Sequence, residues 1–154
     1  MREFNEADRK KKKNRIRIRE NPAALSPEVI SQLEDRVRTS LKDGYLPCAV
    51  AFSIAKETGV PRVAIGEIAD RLGVRITDCQ LGCFRVDKTV SDSSVSRNID
   101  DEIVSMLRNL KADGELTCTG LFDLARQLKL KPRAIAEVAN IQGFKVHNCQ
   151  LGCF

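Results

Sequence analysis

The apolar positions fall into short runs with helical spacing, and the whole series occurs twice. Ile30, Leu33, Val37 and Leu41 recur at intervals of three and four, the period of one helix face. Ser26 ahead of them is a favourable N-cap, Pro27 suits the first helical position, and Gly44 closes the segment. A second helix is predicted from Cys48 to Thr58, broken by Gly59-Val60-Pro61. A third carries Ala64, Ile65, Ile68, Ala69 and Leu72 and ends at Gly73. Tyr45-Leu46-Pro47 before the second helix and Val74-Arg75-Ile76-Thr77 after the third read as short strands.

Further along, Ile103, Met106, Leu107 and Leu110 repeat the first stripe before Gly114. Glu115-Leu116-Thr117 repeats the short strand, and a helix is predicted from Cys118 to Leu128 with its break at Lys129-Leu130-Lys131-Pro132. Ala134, Ile135, Val138 and Ala139 give the third helix, ending at Gly143, and Phe144-Lys145-Val146-His147 the closing strand. Residues 31–84 align with 101–154 at an offset of 70 without a gap, and about a third of the positions are identical. The expected fold class is therefore mainly α, with two tandem three-helix modules and short β segments. The modules span 25–84 and 99–154, a linker with Ser91, Ser93, Ser94 and Ser96 occupies 85–98, and an arm covers 1–24.

The repeat is strongest where Cys79-Gln80-Leu81-Gly82-Cys83-Phe84 returns unchanged as Cys149-Gln150-Leu151-Gly152-Cys153-Phe154. Thiols four positions apart lie on one side of the backbone in either regular geometry. Two such pairs make the four thiolates that tetrahedral zinc or an iron–sulfur cluster requires. Cys79, Cys83, Cys149 and Cys153 are accordingly candidate ligands, brought together by a pseudo-twofold arrangement of the copies or by a homodimer. Cys48 and Cys118 are further candidates; each starts a second helix, where a small half-buried packing role competes with an activated thiol. The spacing is neither the zinc-ribbon nor the ferredoxin pattern, so it names no metal. Reversible thiol chemistry and simple packing of Leu81 and Phe84 are the other readings. Asp78 and Asn148 suit a cap, and Gly82 and Gly152 a tight turn.

Charge adds an arm to this picture. The chain has 26 Lys and Arg against 21 Asp and Glu, a net +5. Residues 1–29 hold nine against five, so nearly all the excess is there. Arg9, Lys10, Lys11, Lys12, Lys13, Arg15, Arg17 and Arg19 would solubilise the chain, neutralise nucleic-acid phosphates, or act as a targeting signal. No stretch is apolar enough to span a bilayer, and the charged leader lacks the apolar core of a secretory signal. A soluble, cytoplasmic protein is expected, its six cysteines reduced or ligated rather than forming a disulfide framework. His147, the one histidine, is matched by Thr77, and no carboxylate pair or phosphate-binding loop stands at a persuasive spacing, so no enzyme is expected.

Ala51 to Leu72 resembles the helix-turn-helix of bacterial regulators, with small Ala55 inside the second helix, Gly59 in the turn, and Ile65 and Ile68 on the inner face of the third. Ala125, Ile135 and Val138 match in the second copy, where Lys129 replaces Gly59. The order of elements looks like the winged-helix variant. That resemblance implies a DNA-binding transcription regulator whose third helices offer Arg62, Arg71, Lys131 and Arg133 to duplex DNA beside the basic arm, with the cysteine pairs sensing metal or redox state. It also implies antiparallel pairing of the two short strands, which would set Cys48 nearer Val74 than Cys79, and it puts the hexapeptide where the wing would be. The competing class is a metal- or cluster-binding accessory protein that uses the same scaffold to meet a protein partner and not DNA.

Overall fold

The computed structural model describes residues 18–84 and 97–154. The cations from Arg9 to Arg17 and most of the predicted linker lie outside the described residues. In chain order the elements are α1 (Pro27–Thr39), β1 (Tyr45–Pro47), α2 (Cys48–Thr58), α3 (Arg62–Leu72), β2 (Arg75–Thr77), α4 (Arg97–Ala112), α5 (Cys118–Leu128) and α6 (Pro132–Ile141). The fold is mainly helical with one small two-stranded sheet. No described helix is long and apolar enough to cross a membrane.

Local chemistry accounts for the boundaries. Ser26 Oγ accepts the Val29 N–H at 3.3 Å, Pro27 opens α1, and Leu33 and Val37 are its buried positions. The helix stops at Thr39, short of Leu41, because Asp43 and Gly44 both take positive φ and turn the chain. Lys42 and Tyr45 then exchange backbone hydrogen bonds of 2.8 and 2.9 Å, which launches β1. Helices α2 and α5 run over the residues their patterns predict. Gly59 ends α2 in the left-handed conformation at φ 70, and Lys129 ends α5 in the same conformation at φ 54. A side chain in that region costs about 1–2 kcal/mol, so the second copy keeps the turn at the expense of some strain.

The strands differ from the winged-helix expectation. β1 pairs with β2 in parallel, Tyr45 opposite Arg75, Leu46 opposite Ile76 and Pro47 opposite Thr77. The physical reason is the connection: β1 feeds directly into α2, the α2–α3 pair carries the chain back, and β2 re-enters in the direction in which β1 left. Cys48 therefore comes level with Asp78, not with Val74. In the second copy the pairing shrinks to one parallel bridge, Thr117 with His147.

Two compact units result, and their composition departs from the linear repeat. One consists of the chain up to Asp78 together with Gln150–Phe154, and the other of Cys79–Cys149. Each hexapeptide thus belongs, wholly or nearly so, to the unit built by the other copy's helices. In the first unit Leu33, Val37, Leu46, Ile54, Ile65 and Ile68 are buried, and Leu151 is buried with them. The Leu151 backbone lies on α3 at Gly66, so closely that a Cβ there would stand 2.7 Å from the Leu151 carbonyl carbon and 3.1 Å from its Cα. In the second unit Leu81 joins one core with Ile103, Leu107, Leu121 and Ile135, and Ala136, the counterpart of Gly66, is part of it. Removing one leucine side chain from water stabilises by about 1.5–3 kcal/mol, so each docked hexapeptide contributes a substantial fraction of a domain's margin of about 5–15 kcal/mol.

Candidate thiolate site

The first hexapeptide reaches the second unit through Asp78, whose φ of 50 redirects the chain; Asn148 at φ 53 does the same for the second. Short polar side chains tolerate this region better than bulky ones. A turn follows, closed by Gly82 N–H donating to the Cys79 carbonyl at 2.8 Å, with Gly82 at φ 74. The turn brings the two thiols together. Cys79 is buried, Cys83 is exposed, and the Cys83 thiol hydrogen-bonds the Cys79 sulfur.

That hydrogen bond is the largest influence on Cys79 and draws its pKa down to about 6. The backbone N–H groups of Cys83, Leu81 and Phe84 point the same way, and together they outweigh burial, which acts upward. Cys83 is pushed up, first because its proton is held by Cys79, then by burial and by the charges of Cys79, Cys118 and Cys149. The donors around Cys79 favour the thiolate there, and the proton of the pair is favoured on Cys83.

The linkage has a definite sign. The folded pKa of Cys79 lies below the thiol value of about 8.5 in an unfolded chain, so its contribution is present above that value and is lost as pH falls through about 6. Cys83, raised, acts oppositely, its contribution being lost as pH rises above the unfolded value. Denaturant midpoints of the reduced protein should therefore rise with pH across the window from about 6 to about 8.5 and decline beyond it. A Cys79→Ser/Cys83→Ser double variant should flatten both limbs. An unchanged profile in that variant would refute the assignment.

Cys118 opens α5, as Cys48 opens α2, and both are buried rather than half-buried. The parallel bridge at Thr117 and His147, with the Cys118 N–H donating to the His147 carbonyl at 3.0 Å, lays Cys118 beside the strand that leads to Cys149. Cys79 and Cys118 also share one buried core. Four of the six thiols, Cys79, Cys83, Cys118 and Cys149, thus belong to the second unit, whereas Cys48 and Cys153 belong to the first. None of the six cysteines is in a disulfide, and among the described residues no three or more His, Cys, Asp or Glu side chains already form a ligating array.

The predicted DNA-facing cations are engaged. Arg62 lies over the Phe52 ring at 3.9 Å and donates to Gln150 Oε1, so it helps to seat the second hexapeptide. Arg71 pairs with Glu67 at 3.0 Å and Arg133 with Glu137 at 3.6 Å, each within its own helix. Lys131 is the exposed N-cap of α6, and Arg19 is exposed. Gly66 and Gln150 were not singled out by the sequence. A glycine inside an otherwise good helix is the signal that marks the first of them. Compared with protein-family models, curated proteins and solved structures, the chain matches none.

Proposed function

We propose that this chain binds a soft metal ion or an iron–sulfur cluster through cysteine thiolates, as a sensor or accessory factor and not as an enzyme. The observation that carries this reading is the setting of Cys79. Its buried sulfur receives the Cys83 thiol and backbone N–H groups from three residues, the kind of donor shell that stabilises and tunes a ligating thiolate. Cys79 and Cys83 would be the first ligands. When bound, zinc would supply a structural cross-link, and a cluster would supply electron transfer. The protein's own part is to hold one thiolate ready, keep it from bulk water, and present Cys83 from an exposed turn beside it.

Anaerobic purification followed by metal analysis and an absorption spectrum tests the proposal. Zinc or iron in stoichiometric amount, lost in Cys79→Ser and Cys83→Ser variants, is the expected result. A protein that takes up no metal and is as stable without the two thiols would sink it.

The regulator reading adds duplex DNA as a partner, and what supports it is the run of cations from Arg9 to Arg19. The ion-paired arginines of α3 and α6 place the weight on that arm. Retardation of duplex DNA should then fall steeply with salt and survive Arg71→Ala and Arg133→Ala.

A further inference from the structure

The first unit holds residues 150–152 through three different features of its own helices. We infer that this unit carries an acceptor site for an extended Gln-Leu-Gly segment, and that the site takes the segment from a second copy of the chain as well as from its own. The inference goes beyond the proposed function and involves no metal.

Three neighbouring contacts define the site. Arg62, lying over the Phe52 ring at 3.9 Å, donates to the Gln150 side-chain oxygen. Leu151 is wholly buried, and its main chain rests on α3 where Gly66 has no side chain. Gly152 is buried and takes φ 71, a conformation open to glycine and avoided by residues with a side chain. Amide, leucine and glycine are each read separately, so the site selects a sequence and not an apolar strip of any kind. In the second unit Pro132 and Ala136 stand at the positions of Arg62 and Gly66. Its acceptor lacks both the guanidinium and the bare backbone, which makes the first unit the selective one.

The segment arrives across a short hinge. The chain belongs to the second unit through Cys149 and to the first from Gln150, and Asn148 just before the crossing takes φ 53, a region that side chains disfavour. Short hinges under strain favour exchange of the element beyond them between identical chains. A second copy offers every contact that the chain's own segment does, so the two sources differ only in concentration. A tethered segment competes at an effective concentration of roughly 1 mM. Chains refolded near that concentration should close on each other reciprocally, as a two-fold dimer.

Reduced full-length protein, unfolded in urea and refolded both well below and at about 1 mM, provides the test, with mass read by light scattering. A dimer should appear as the refolding concentration rises. Leu151→Asp, which spoils the donor, and Gly66→Met, which fills the acceptor, should each lower the dimer yield by roughly tenfold or more. The two variants refolded together should recover a one-to-one dimer, since one chain brings an intact segment and the other an intact site. Unsubstituted protein that stays monomeric at every concentration would overturn the inference, whatever the variants' folding. A dimer indifferent to both substitutions would overturn it too, by placing association on another surface. A labelled Ser-Gln-Leu-Gly-Ser-Phe peptide reads the selectivity. It should bind the Leu151→Asp chain, and severalfold less well once Arg62→Ala is added. Equal binding of a peptide with Gln and Leu interchanged would refute the sequence selection.

Discussion

Gly66→Ala is expected to destabilise the protein by about 1–3 kcal/mol, against the usual sign for this exchange. In the interior of a helix, alanine normally stabilises by about 1 kcal/mol relative to glycine, because it restricts the unfolded backbone. Gly66 lies in the middle of α3, so propensity alone predicts a gain. The new methyl group, however, would run into the Leu151 carbonyl. The obstacle is main chain, which cannot rotate aside, so residues 150–154 must lift from the helix or α3 must shift. Ala136→Gly at the equivalent place should lose about 1–2 kcal/mol, the ordinary propensity term together with one buried methyl group. Urea denaturation of both variants measures the contrast. A Gly66→Ala protein as stable as the original would show that Leu151 does not rest on α3.

Leu151→Ala should have the larger effect, a loss of about 2–5 kcal/mol. The side chain is 0% exposed, so its removal forfeits both transfer free energy and packing in a site whose walls are helices with little freedom to collapse. Leu81→Ala should cost a comparable amount, since Leu81 is inside the core of the second unit. Combining Leu151→Ala with Gly66→Ala supplies a cycle. If the leucine holds the segment down, the glycine substitution becomes nearly neutral once the leucine is gone, a coupling of about 0.5–3 kcal/mol. Strict additivity would mean that the two positions act separately.

The helices were legible because their signals are local. The stripe of Leu33 and Val37, the Ser26 cap and the glycines at 59 and 73 act within a few residues of where they stand. Strand direction was not legible, because three-residue strands such as β1 and β2 alternate identically whether parallel or antiparallel. Which module receives which hexapeptide was hidden more thoroughly. The two copies are letter-for-letter the same, and Leu81 and Leu151 would satisfy either core. Only three-dimensional packing distinguishes them. The parallel bridge that sets Cys118 beside the strand before Cys149 stayed hidden with the strand direction.

The exchange of hexapeptides bears on how the chain acquires its fold as it is synthesised. Arg62 and Gln150, partners in the first unit, are 88 positions apart, and the face of α3 at Gly66 receives its cover only when residues 150–154 have emerged. The first module leaves the ribosome unfinished and must wait for the second. Closing so long a loop before its contacts can form slows folding, and an apolar helix face left uncovered meanwhile is a point of association with other nascent chains. A duplicated protein of this length would ordinarily fold one repeat at a time. Here the second unit, continuous from Cys79 to Cys149, can close by itself, whereas the first waits for Gln150–Phe154.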